Sequence, residues 1–192
     1  MAWVSTSPLV KTYTLEEFWE LPEPLDHSKL ELIAGVLYMT PAPTRLHHYT
    51  VSRLIRLIVE HLVKMGDQGV LFVPRAGIIR APNSWLEPDL FYVADAKAYS
   101  DAEYPQYLRT ADLVIEVISP SSAIYDRNTK ADTYAVLGVK ELWLVDEASG
   151  IIEVRILDGG RYTSSHVLER DDMLKSTVLS GLEMRVGDVF TS

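Results

Sequence analysis

Leu113-Val114-Ile115-Glu116-Val117-Ile118 reads as one β-strand, almost uniformly apolar and β-branched. Strands covered on both faces have this continuous apolar character, whereas half-exposed strands alternate. The run therefore predicts a central strand with a covering layer on each side, closed off by Pro120. Glu116 interrupts it. A carboxylate there is costly to bury unless a cation, a metal ion or strong hydrogen bonds compensate it. The other possibility is an edge strand with Glu116 turned to water, which the apolar neighbours on both sides disfavour.

Downstream of this strand, residues from about Asp126 to Leu137 predict a helix that stops at Gly138, followed by a second buried strand from Glu141 to Val145. The tail alternates in two stretches, Ile151 to Leu157 and Arg161 to Leu168, around Asp158-Gly159-Gly160, the pattern of an antiparallel hairpin. Upstream, Val51, Leu54, Ile55, Ile58, Leu62 and Met65 recur at helical spacing, so the longest helix is expected from Leu46 to Met65, ended by Gly66. Three further strands are expected, from Val70 to Val73, Gly77 to Arg80 and Asp89 to Val93. Nearer the start, Thr14 caps a short helix from Leu15 to Leu21, with Glu16 and Glu17 in its first turn, and Gly35 joins the strands Lys29–Ile33 and Val36–Thr40. The reading is an α/β (α+β) fold, with two helices packed on a mixed sheet and extra antiparallel strands at both ends. All 192 residues are expected to form one domain, with a helix and hairpin over 14–40, a core over about 46–146 and a β-rich tail over 151–190.

Composition sets outer limits on function. Hydrophobic residues make up 47% and charged residues 23%, ordinary for a globular domain with a sizeable core. The absence of cysteine excludes disulfides, thiolate catalysis and cysteine-based zinc sites. Residues Met1 to Ser5 lack the basic-then-apolar pattern of a secretory leader, and Arg56, Glu60 and His61 interrupt the most apolar stretch, so a cytoplasmic protein is expected, with no membrane partner. Eighteen basic against 27 acidic residues give a net charge of −9, unusual for a protein that grips nucleic acid. From Pro41 to Arg80, however, six basic residues (Arg45, Arg53, Arg56, Lys64, Arg75 and Arg80) face two acidic ones, Glu60 and Asp67. That +4 segment is either a solvated helix surface or a local phosphate-facing patch.

Asp89 follows Pro88, which cannot donate to a sheet ladder and so marks a strand entrance. Alone it reads as a turn aspartate; beside Glu116 on a neighbouring strand it offers hard oxygen ligands suited to Mg²⁺ or Mn²⁺. Lys130 shares a helix face with Tyr134 and Leu137, at i, i+4 and i+7. It is either an exposed lysine paired with Asp126 or a third member of the site. His47 lies one turn before Val51 on the inward helix face, as a phosphate contact or a satisfied histidine at the core edge. Glu31 alternates with Leu30 and Leu32 and so points to the opposite strand face from them.

Taken together, these residues resemble the PD-(D/E)XK nuclease superfamily and, within it, the Uma-two family of restriction-endonuclease-like proteins. The resemblance runs from about Thr12 to Phe190. It is carried by Leu30-Glu31-Leu32-Ile33-Ala34-Gly35, His47, Glu87-Pro88-Asp89-Leu90, Asp112 to Ser121, Tyr125-Asp126-Arg127, Lys130, Tyr134, Gly138 to Asp146 and Ser180-Gly181-Leu182. Two departures stand out: Ile118 occupies the position of the usual lysine, and Ala34 stands where such proteins often have an acidic residue. The resemblance implies that the lysine has migrated to the following helix, at Lys130. It implies a restriction-endonuclease-like core, a Mg²⁺-dependent (or Mn²⁺-dependent) endonuclease acting on nucleic acid, with DNA the expected form, and a homodimer. The metal would be held by Asp89, Glu116 and the backbone carbonyl of Val117, with Lys130 acting on the water or phosphate. Glu31 would be a further ligand or a support for Lys130 or His47, and Tyr134 would pack beneath Lys130. The net charge keeps two other readings open. One is a catalytically silent module binding nucleic acid or protein; the other is a hydrolase of small phosphoesters.

Overall fold

The computed structural model describes residues 11–118 and 126–190. Pro120 as strand terminator, and Ser119, Ser121 and Tyr125 of the motif, lie outside the described residues.

The capped turn is shorter than its sequence suggests. Thr14 Oγ1 accepts the Glu17 N–H while the Glu17 carboxylate accepts the Thr14 N–H, but α1 spans only Leu15–Trp19. Strands β1 (Lys29–Ile33) and β2 (Val36–Thr40) form the expected hairpin. Its two-residue turn, Ala34-Gly35, has positive φ at both positions, 49° and 80°, and glycine takes up the second without strain. Helix α2 (Arg45–Met65) is capped by Thr44 and ended by Gly66 at φ +65°. It buries Val51, Leu54, Ile58 and Leu62, while Met65, the last residue of the helix, is exposed.

The mixed sheet read from the sequence is present, and the N-terminal hairpin belongs to a second, smaller sheet. The larger has the order β10-β9-β8-β7-β6-β3. Its members are β3 (Val70–Phe72), β6 (Leu90–Val93), β7 (Leu113–Ile118), β8 (Glu141–Asp146), β9 (Ile151–Asp158) and β10 (Arg161–Leu168). It is mixed: β7 and β8 run parallel and every other neighbouring pair is antiparallel. The smaller sheet, in the order β2-β1-β5-β4, recruits β4 (Ile78–Arg80) and β5 (Ser84–Leu86). Strand β5 escapes a reading by pattern because Ser84-Trp85-Leu86 is three residues long and buried throughout, so no alternation marks it. The tail adds a hairpin of β11 (Met173–Lys175) and β12 (Glu183–Arg185) and a final turn, α4 (Gly187–Phe190).

Side-chain parity assigns the two faces of the large sheet. Leu90, Tyr92, Leu113, Ile115, Val117, Trp143 and Val145 pack with α2 and the tail. Phe91, Val93, Val114, Ile118, Leu142 and Leu144 pack with Ala131 and Tyr134 of α3 (Ala131–Leu137) and with Ile33, Ile78 and Leu86 of the small sheet. All six residues of β7 are buried, as its composition requires. The expected helix from Asp126 is continuous but not uniform: Asp126–Lys130 is a turn of π-type helix that passes directly into α3.

Buried Asp112 holds the start of β7. It accepts hydrogen bonds from the Ala94 N–H (2.8 Å), the Tyr99 hydroxyl (2.6 Å) and the Lys140 ammonium (2.6 Å). Burial alone would raise its carboxyl pKa; these donors overcome that and hold it below the usual 3.8. A lowered native pKa stabilises the fold above the ordinary carboxylate range, and the benefit is lost as pH falls through the native value. Asp112→Asn is therefore expected to cost about 2 kcal/mol at neutral pH. Urea unfolding should show the cost shrinking in strong acid, where wild type has lost the same charge.

Candidate active site

Parity also selects the residues of the site. Glu116 lies between Val114 and Ile118 and so shares their face, the one covered by α3. The β6–β7 ladder is paired as far as Leu90↔Ile115. Asp89 stands one residue before β6, and its Oδ2 accepts the Val117 N–H at 2.8 Å. The strand expected from Asp89 thus begins at Leu90, because the Asp89 side chain serves a donor that a paired backbone carbonyl would otherwise take.

Lys130 reaches this point from the π-type turn. Only 1% of it is exposed, which excludes the solvent-facing lysine; the side chain of Asp126, its alternative partner, lies outside the described residues. Its ammonium lies 2.6 Å from Glu116 Oε1 and 3.2 Å from Glu31 Oε2. The second contact is an ion pair without hydrogen-bond geometry, so among the described residues Glu31 Oε2 is compensated by charge. Glu31 Oε1 accepts the Glu87 N–H at 2.8 Å, fastening the small sheet to the segment that leads into Asp89. Tyr134, one turn beyond Lys130, is fully buried and donates its hydroxyl to Glu116 Oε1 at 2.5 Å. Burial and the Glu116 charge push the Tyr134 pKa well up, so it stays a donor. The turn is clamped from behind: Arg127 pairs with Glu153 and Asp146, and Arg155 donates to the Arg127 carbonyl at 2.8 Å.

From the other side of the site, His47 in the first turn of α2 places Nε2 3.2 Å from Asp89 Oδ1. Burial disfavours its charged form, but the hydrogen bond to Asp89 and the charges of Asp89 and Glu147 outweigh that and raise its pKa above 6.5. Burial likewise works against ionised Asp89, yet His47, Lys29 and Lys130 hold its pKa below the usual value. Asp89, Glu116, Val117, Lys130 and His47 all line one cavity of about 830 Å³.

Some residues of the site went unread in the sequence. Glu147, just after β8, lines the same cavity; its Oε2 is buried and accepts no hydrogen bond from the described residues. Burial and the Asp146 and Asp89 charges raise its pKa. The only sequence signal was its place at the end of a buried strand. Lys29, His27, His48 and Arg75 also line the cavity, Lys29 from β1, His48 from the first turn of α2, and His27 and Arg75 from loops. The +4 segment does not form one patch: Arg53 donates to the Asp188 carbonyl, Arg56 pairs with Glu60, and Arg75 alone of its arginines lines the cavity.

The donor chemistry fits a hard divalent cation. Among the described residues no three His, Asp or Glu side chains are grouped to hold a metal. Mg²⁺ needs no such cage, since it keeps several waters and commonly takes one or two carboxylates plus substrate phosphate. The ion pairs of Lys130 support a stability prediction. Lys130→Met leaves Glu31 and Glu116 buried without this cation and is expected to cost about 3–5 kcal/mol. Adding Glu31→Gln should restore part of the loss, measured by denaturant unfolding.

Comparison with known proteins places this geometry. A search of curated proteins returns no match. Among solved structures, the chain superposes with a TM-score of 0.73 on a crystal structure described as a putative nuclease belonging to DUF820 from Anabaena variabilis ATCC 29413. The match covers 93% of this chain and 97% of that one at 20% identity, which establishes a shared fold. The model of the Uma2 family, described as "Putative restriction endonuclease", matches residues 15–187. With its fold shared and nearly its whole length matched, the chain belongs to the Uma2 family of restriction-endonuclease-like proteins.

Proposed function

We propose that this protein is a Mg²⁺-dependent endonuclease that hydrolyses phosphodiester bonds of DNA. The observation that carries the proposal is the convergence of Asp89, Glu116 and Lys130 on one cavity, with two carboxylates and a cation 9%, 2% and 1% exposed. Burying such groups without a use costs stability that apolar residues would not.

Asp89, Glu116 and the Val117 carbonyl are the residues that would hold Mg²⁺, or Mn²⁺ in its place. When bound, the ion supplies charge that polarises a phosphodiester and acidifies a water molecule. The chain's own groups do the rest. Lys130 carries a fixed positive charge to the phosphate as negative charge builds on its oxygens. Glu31 and Tyr134 keep Lys130 and Glu116 in register, as positioning residues. His47 orients the Asp89 carboxylate. The balance is simple hydrolysis: a water oxygen bonds to phosphorus, one P–O ester bond breaks, and a proton ends on the departing oxygen.

A second reading, hydrolysis of small phosphoesters, draws on the cavity volume of about 830 Å³ and on the net charge of −9. The enzyme we propose is cytoplasmic and works as a homodimer. No helix among the described residues is long and apolar enough to cross a membrane.

Plasmid and oligonucleotide cleavage with Mg²⁺ or Mn²⁺ tests the activity. Asp89→Asn, Glu116→Gln and Lys130→Ala are each expected to lower the rate on the order of 10²–10³-fold. Chelation should abolish cleavage, and Mg²⁺ should restore it. Equal rates in wild type and Asp89→Asn would remove the endonuclease reading.

A further inference from the structure

The reacting groups are buried residues in the wall of a partly open cavity. Lys130 and Glu116 are almost wholly withdrawn from solvent, yet both still contribute to the cavity wall. Its volume, about 830 Å³, is within the range of small-ligand pockets, roughly 300–1,000 Å³. A phosphodiester must come inside to meet these residues.

The wall around them has two characters. One part is rigid and apolar: Pro41, Ala42 and Pro43 before α2, with Pro74 and Pro88. Prolines offer ring faces and no N–H donors, so they present a surface for packing, with few hydrogen bonds to give. The other part is polar and of mixed charge: Lys29, which donates to the Glu87 carbonyl, and Arg75, which pairs with Glu23, share it with His27, His48 and Glu147. A base inside a duplex is already stacked and paired and has no use for an apolar wall next to its phosphate. An unpaired base gains by packing its face on apolar and aromatic side chains. Charge points the same way. Duplex DNA carries one negative charge per roughly 1.7 Å of axis, twice the density of either strand alone. A surface with a net charge of −9 opposes the duplex more than the single strand.

From this juxtaposition we infer that the substrate is an unpaired nucleotide within a DNA strand, its base packed on the Pro41–Pro43 wall and its phosphodiester drawn down to Lys130. The inference rests on the nuclease reading and narrows it from nucleic acid to single-stranded or locally unpaired DNA.

The test uses one labelled oligonucleotide in three forms: single strand, perfect duplex, and duplex with an unpaired flap. Binding is followed by fluorescence anisotropy with Ca²⁺, and cleavage with Mg²⁺ or Mn²⁺. The expected result is single-strand binding tighter than duplex by about tenfold, the low end of the range for a base stacked on an aromatic ring, since the wall here is aliphatic. Cuts in the flap substrate should fall at unpaired nucleotides. Ala42→Asp, at an exposed wall position, should remove most of the single-strand advantage, and Arg75→Gln should weaken binding of every form. Duplex bound or cut as well as the single strand overturns this inference and leaves the nuclease reading standing. No form bound, and none cut faster by wild type than by Asp89→Asn, defeats the nuclease reading and this inference with it.

Discussion

A lysine ammonium buried between Glu116 and Glu31 is the constraint around which the site is arranged. Each of these charges would be prohibitive by itself in the interior, so none can be placed without the others. Lys130 arrives from the π-type turn before α3, Glu116 from the centre of the large sheet, and Glu31 from the small sheet. One cation thus joins three parts of the chain that hydrophobic packing alone would leave free to slide. The wider π-type winding sits where the lysine must leave the helix for the sheet, a place where such irregularities are commonly tied to function.

The carboxylates follow from strand arithmetic. Alternation along β7 sends Leu113, Ile115 and Val117 to α2 and leaves Val114, Glu116 and Ile118 on the α3 face. Asp89 completes the arrangement by ending a ladder: its carboxylate takes the Val117 N–H, so the site opens where the backbone pairing of β6 and β7 stops. Structure and chemistry share one device there. The bond that satisfies the sheet edge also fixes the angle of a carboxylate, and His47 fixes it from the far side.

Much of this was legible beforehand, though unequally. Glu116 betrayed itself as a charge in an unbroken apolar strand, and the long helix ended by Gly66 and the two buried strands that are β7 and β8 followed from spacing and composition. Lys130 could not be separated from a surface lysine by periodicity, because one polar residue on a short helix face carries little information; its burial is a tertiary fact. The second sheet was hidden for a similar reason. Strand β5 has three residues, too few for a period, and its pairing with β1 brings together residues some fifty positions apart, Leu32 and Trp85. Glu147 escaped because nothing in its neighbours distinguishes it from any strand-end carboxylate.

The parallel pairing of β7 and β8 has a consequence for how such a site can change over time. Parallel neighbours need a crossover, and here the crossover carries α3 across the sheet face that bears Glu116. A cation mounted on β7 itself would be bound to that strand's register, since a slip by one residue turns every side chain to the opposite face. Mounted on the crossover, it approaches the same point from outside the sheet. Ile118 is then free to serve the core as an ordinary apolar residue, and the position of the charge and the packing of the strand can drift independently.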